Sequence, residues 1–105
     1  MTQPQDSEVK IYYDNVVGLL KNCIENRDLR LLIDVLQDLA RRFDIYLKLR
    51  TTDIVIVKLK EMPYDNGMEV MLVTRYGLEV NVRIFKMDKY VDNVEVYYTL
   101  ALICG

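Results

Sequence analysis

The chain has 105 residues, a length that predicts a single domain with one hydrophobic core. Hydrophobic residues make up 51% of it and charged residues 29%, which excludes a largely disordered protein. The formal net charge is −2, so the composition predicts no general electrostatic attraction to nucleic acid. We expect only residues 1–5 to be flexible.

Two amphipathic helices are predicted within residues 7–43. Asp6 and Ser7 are suited to cap the first helix, which is expected to run to about Ile24. After a short polar break, apolar residues at intervals of three and four predict a second helix over 29–43. Such a short link between two helices is typical of an antiparallel helical hairpin.

The spacing of apolar residues changes near Asp44 from a helical period to alternation, which predicts a β-rich part over 45–103. A first strand is expected from Ile45 to about Arg50. The later strands are predicted over Ile54–Glu61, Met68–Thr74, Leu78–Phe85 and Val94–Ile103, separated by polar turns.

The last segment, 88–103, also fits a helical spacing, and a helix from Asp88 onward is the alternative to the last strand. Its β-branched and aromatic residues favour the strand. The whole pattern predicts an α+β fold in which an N-terminal antiparallel helical hairpin packs on one face of a four- to five-stranded, mainly antiparallel β-sheet.

Several kinds of chemistry are excluded or disfavoured by the residues present. The chain has no histidine, which removes Ser/His/Asp and Cys/His catalysis and the commonest transition-metal ligand. Cys23 and Cys104 lie far apart and are predicted to be buried structural residues whose apolar surroundings raise the thiol pKa. The four glycines are isolated, so no phosphate-binding motif exists. We therefore predict a non-enzymatic protein with no catalytic, cofactor-binding or metal-binding residues.

Two groups of carboxylates leave a Mg²⁺-dependent enzyme as a disfavoured alternative. Asp34 and Asp38 lie one helical turn apart, but neighbouring arginines indicate a solvated face of ion pairs. Asp88, Asp92 and Glu95 align only if their segment is helical, and we interpret them as part of a polar loop.

The location and origin of the protein are constrained only loosely. No secretory leader is expected from the residues after Met1, and no apolar stretch reaches the roughly 18 to 20 residues of a membrane span. We expect a cytoplasmic protein without membrane partners, in its own cell or, if viral, in a host cell. A single serine and the lack of histidine suggest a thermophilic archaeon or its virus, although six asparagines argue against this.

The second face of the sheet is the best candidate for a functional surface. Six residues are predicted to pack under the helices: Leu47, Val57, Leu59, Val80, Val82 and Tyr98. The opposite face is then unusually apolar for a sheet surface in contact with water. We interpret it as a protein interface, most simply that of a homodimer, formed by Tyr46, Ile54, Ile56, Met71, Phe85 and Tyr97.

Two alternatives to the interface remain open. Aromatic residues of this face could stack the bases of single-stranded nucleic acid while basic residues bind its phosphates, and these would be Lys48, Arg50, Lys58, Lys60 and Arg83. Alternatively, the carboxy-terminal segment or a strongly coiled sheet covers the face within one monomer.

Overall fold

The computed structural model describes residues 10–100, which form two α-helices followed by a four-stranded antiparallel sheet. The helices are α1 (Tyr13–Glu25) and α2 (Leu29–Arg42). The strands are β1 (Ile54–Met62), β2 (Gly67–Thr74), β3 (Leu78–Met87) and β4 (Tyr90–Leu100). Each strand pairs with the next in the chain, so the sheet order is β1–β2–β3–β4. The predicted α+β arrangement is confirmed.

The helix α2 has the clearest amphipathic pattern, and its buried side directs Leu32, Leu36 and Leu39 to the core. Asp28 caps it, because its carboxylate accepts a hydrogen bond of 3.2 Å from the backbone N–H of Leu31. Only three residues separate the two helices, so the chain reverses direction at once and both helices pack on the same side of the sheet.

The start of α1 differs from the prediction. The helix begins at Tyr13, and the preceding residues are extended: Tyr12 forms an isolated antiparallel bridge with Tyr90 of β4. The backbone N–H of Val91 donates to the carbonyl of Ile11 at 2.8 Å. Pairing with a distant strand therefore outweighs the local helical pattern before Tyr13. The predicted cap at Asp6 and Ser7 lies outside the described residues.

The hydrophobic core lies between the helices and one face of the sheet. Cys23 of α1 is buried in it as predicted, and burial, followed by the charge of Asp28, raises the pKa of its thiol. Cys104 lies outside the described residues. The fully buried side chains of the core come from both layers: Leu20, Leu32 and Leu36 from the helices, and Met68, Val70, Leu72, Val80, Val82 and Ile84 from β2 and β3.

The segment 45–50 alternates in burial but is not a strand, so the predicted first strand is wrong. Leu47 is buried and Leu49 half-buried, whereas Tyr46 is exposed. The backbone N–H of Leu49 donates to Oε1 of Gln37 on α2 at 2.8 Å. Alternation correctly indicated which side chains face the core, but it does not reveal whether the backbone pairs with another strand or with a side chain of a helix.

The segment from Tyr90 to Leu100 is a strand, and the alternative helix is wrong; residues 101–103 lie outside the described residues. The polar stretch predicted as a loop is instead a tight hairpin in which Asp88 adopts a left-handed conformation, with φ at 59°.

The prediction that Tyr98 packs under the helices is also wrong, since its side chain is 54% exposed. The strand β4 has 11 residues and so spans about 36 Å, whereas the 14 residues of α2 span about 21 Å. A helix of that length cannot cover the whole of the edge strand.

Candidate interaction surface

The face of the sheet turned away from the helices, called the open face below, follows from alternation along each strand. Its residues alternate along each strand with buried core residues such as Leu72, Val80 and Val82. The strand pairing arranges them in four rows that run from β1 to β4: Met62, Gly67, Phe85, Asn93; Lys60, Glu69, Arg83, Glu95; Lys58, Met71, Asn81, Tyr97; and Ile56, Val73, Glu79, Thr99.

Within residues 10–100, the other elements lie away from the open face. Residues of α1, of α2 and of the 45–50 segment belong to the core on the opposite side of the sheet or pack against it. None of the apolar residues of the open face belongs to that core or packs against it. The described part of the chain thus leaves this face uncovered.

Four of the six predicted interface residues lie on the open face, although the row of Arg83 separates Phe85 from the other three. They are Ile56, Met71, Phe85 and Tyr97, and the side chains of Ile56 and Tyr97 are each 44% exposed. The structure does not bring Tyr46 to this surface, because it lies on the 45–50 segment, on the helix side, where it is 82% exposed.

The placement of Ile54 on this surface is wrong. Its side chain is only 8% exposed and belongs to the core. The cause is a β-bulge: Ile54 pairs with Thr74 and Ile56 with Val73, so Val55 is an extra residue in β1. An inserted residue shifts the alternation by one position, and Ile54 and Ile56 therefore point to opposite faces.

A network of charged and aromatic side chains crosses β2, β3 and β4 on the open face. The Nε–H of Arg83 donates to Glu69 at 3.0 Å, and its guanidinium lies 4.9 Å from the centre of the Tyr97 ring. The hydroxyl of Tyr97 donates in turn to the carboxylate of Glu95. The hydrogen bond to Glu69 raises the pKa of Arg83, and the hydrogen bond to Glu95 raises the pKa of Tyr97.

Apolar side chains flank this network towards both ends of the strands. Val73 is only 9% exposed although no helix covers it, and its neighbours in the strand pairing are Ile56 and Glu79. At the other end, the ring of Phe85 lies against Gly67, with its Cδ1 3.1 Å from the position that a Cβ of Gly67 would take. Part of the burial of Phe85 is therefore already achieved within one chain.

The basic residues considered for nucleic acid are divided between two surfaces. Lys58, Lys60 and Arg83 lie on the open face, whereas Lys48 and Arg50 lie on the 45–50 segment. Sequence reasoning missed the acidic residues of the open face, which are Glu69, Glu79 and Glu95. The short β2–β3 and β3–β4 turns could have revealed them, because a short turn fixes the register of its hairpin. That register places Glu69 beside Arg83 and Arg83 beside Glu95.

The candidate magnesium ligands do not converge among the described residues, where no group of three potential metal-ligating side chains occurs. Asp38 instead accepts hydrogen bonds from Arg41 at 2.6 Å and Arg42 at 3.3 Å, as the sequence predicted, and these bonds lower its pKa. Asp88 lies in the β3–β4 turn and Glu95 on the open face.

Comparisons of the chain with models of known protein families, with curated proteins and with solved structures give no significant match. Between residues 10 and 100, neither helix has the length and apolar character needed to cross a membrane.

Proposed function

We propose that the protein is a non-enzymatic interaction module that binds another protein chain, most simply a second copy of itself, through the open face. The observation that carries this proposal is the uncovered apolar patch around Ile56, Met71 and Tyr97 on a sheet whose other face packs against the helices. A solvated sheet face is normally polar, and an apolar one indicates an interaction site.

A protein partner fits the charges of this face better than a nucleic acid does. Its three basic residues, Lys58, Lys60 and Arg83, are balanced by three glutamates on the same four strands. Arg83 is already engaged with Glu69. Phosphate binding depends on an excess of positive charge, whereas mixed charges around apolar residues are typical of the rim of a protein interface.

The replacement Ile56→Glu tests the proposal. It places a carboxylate in the apolar part of the proposed interface without touching the core, so the dimer should weaken by at least about tenfold while the fold is retained. Light scattering at tens of micromolar should give a dimer for the wild type and a monomer for the variant, with circular dichroism as the check of folding.

A matched control is available in Leu31→Glu. Leu31 lies on the outer side of α2 and is 41% exposed, close to the exposure of Ile56. This variant should remain dimeric. A wild type that is monomeric at tens of micromolar, or an Ile56→Glu variant that dimerises as tightly as the wild type, would contradict the proposal.

A further inference from the structure

One row of the open face has alternating charges across the whole sheet. Lys60 of β1, Glu69 of β2, Arg83 of β3 and Glu95 of β4 are direct neighbours in the strand pairing. Adjacent strands lie about 4.8 Å apart, so the backbone positions that carry these charges follow one another across the sheet in the order plus, minus, plus, minus. We call it the charged row.

The order of these charges has a consequence for two copies that meet face to face. A twofold axis that runs parallel to the strands, between β2 and β3, reverses the strand order of the partner. Lys60 then lies against the partner's Glu95, and Glu69 against the partner's Arg83. Because the contact is symmetric, each of these pairs occurs twice, and all four contacts join opposite charges.

The other in-plane arrangement is unfavourable. A twofold axis perpendicular to the strands keeps the strand order, so an axis through the charged row sets Lys60 against the partner's Lys60. Displacing that axis by one row, to the row of Met71, sets Lys58 against the partner's Lys58. Like charges in contact oppose association.

From this complementarity we infer that the occupant of the open face is a second copy of the chain, related by a twofold axis parallel to the strands between β2 and β3. The inference rests on the proposed function. The same axis sets Lys58 near the partner's Tyr97, Met71 beside the partner's Asn81 and Glu79 beside the partner's Val73. The last of these contacts opposes association, so the inference depends on the charged row.

Burial of the charged row is compensated within each chain. Its two positive and two negative charges sum to zero. Arg83 is already hydrogen-bonded to Glu69 and stacked on Tyr97, so little ordering remains for association to impose on these side chains. An unpaired buried charge would oppose a dimer strongly, but a neutral, preorganised row does so much less.

The axis is tested by two charge reversals studied separately and then together. In Lys60→Glu, the introduced carboxylate meets the partner's Glu95 at two symmetric places; in Glu95→Lys, the introduced amine meets the partner's Lys60 at two places. Each variant alone should dimerise at least about tenfold more weakly than the wild type. Mixed in equal amounts, the two should form a one-to-one heterodimer of near wild-type affinity, because every contact again joins opposite charges.

Sedimentation velocity and native mass spectrometry measure these assemblies. Neither Lys60 nor Glu95 belongs to the core, so both variants should fold. Recovery of the dimer on mixing would show that both variants are folded. Matched reversals on the exposed surface of the helices, Arg30→Glu and Glu25→Lys, should leave the dimer unchanged.

The outcomes separate the two proposals. A monomeric wild type overturns both of them. A dimeric wild type that is disrupted by Ile56→Glu, with no recovery on mixing the two reversals, overturns the axis and leaves the open face as the interface. Single reversals that dimerise as tightly as the wild type overturn the assignment of the charged row to the interface.

Discussion

Gly67 is the residue at which the sheet tolerates no side chain. A Cβ there would lie 2.5 Å from the backbone carbonyl oxygen of Ile84 and 3.1 Å from the ring of Phe85. Since the oxygen belongs to the neighbouring strand, it cannot move without disturbing the β2–β3 pairing. We expect Gly67→Ala to lower the free energy of unfolding by about 1 to 3 kcal/mol, as measured by urea denaturation at one fixed protein concentration.

The opposite result is expected at Gly18, in the middle of α1. A Cβ there meets nothing within 4 Å, and alanine restricts the unfolded chain more than glycine does. Gly18→Ala should therefore raise the free energy of unfolding by about 0.5 to 1 kcal/mol. Equal effects of the two alanines would show that the contact with Ile84 does not determine the stability of the Gly67 variant.

Single residues also mark where reasoning from the sequence fails. Ile56 was correctly placed on the open face, but Ile54 was not, because alternation assumes an unbroken strand. The bulge at Val55 has no signal in a run of β-branched residues, each of which suits both faces of a sheet. Only the pairing with Thr74 and Val73 reveals that one residue is inserted.

At the level of elements, α2 carries an ion-pair cluster that makes stability depend on pH. Hydrogen bonds from Arg41 and Arg42 hold the pKa of Asp38 below its usual range. A carboxyl whose pKa is lower in the folded chain stabilises that chain above the ordinary carboxyl pKa, near about 4, and loses this effect as the pH falls through the lowered value.

The variant Asp38→Asn should therefore unfold more easily at neutral pH, by about 0.3 to 1 kcal/mol since the pair is exposed to solvent. The difference from the wild type should shrink steadily below pH 4. Urea denaturation across that range measures it, with Asp34→Asn as the control, because no ion pair of Asp34 is found within residues 10–100. A difference that persists unchanged in acid would contradict this account.

Elements were predictable where local pattern and tertiary packing agree. The helix α2 and the strands β1 to β3 followed from the spacing of their apolar residues, and their ends shifted by only one or two positions. The start of α1 and the 45–50 segment did not follow. The backbone conformation of each depends on a distant partner, which is Tyr90 on β4 for the first and Gln37 on α2 for the second. The spacing of apolar residues within a segment carries no information about such a partner.

Considered as a whole, the molecule hinders strand pairing at parts of both edges of its sheet. On the β1 edge, Lys58 and Lys60 and the bulge at Val55 hinder pairing with another strand. At the start of β4, the bridge from Tyr12 to Tyr90 already occupies the backbone. Strand pairing is therefore hindered at parts of both edges of the sheet, which supports the proposal that association uses the open face.

Association of this kind couples folding to protein concentration, since a dimer that unfolds to separate chains is stabilised by mass action. For a chain of this length, each tenfold increase in concentration should raise the Tm of the wild type by about 3 °C. The Lys60→Glu variant should show a weaker dependence of Tm on concentration than the wild type, most clearly at the low end of the range, while Arg30→Glu should follow the wild type. Calorimetry at protein concentrations between about 5 and 500 μM measures this dependence of Tm on concentration. A flat wild-type response would mean that the chain unfolds as a monomer and that the exposure of Ile56 and Tyr97 has another cause.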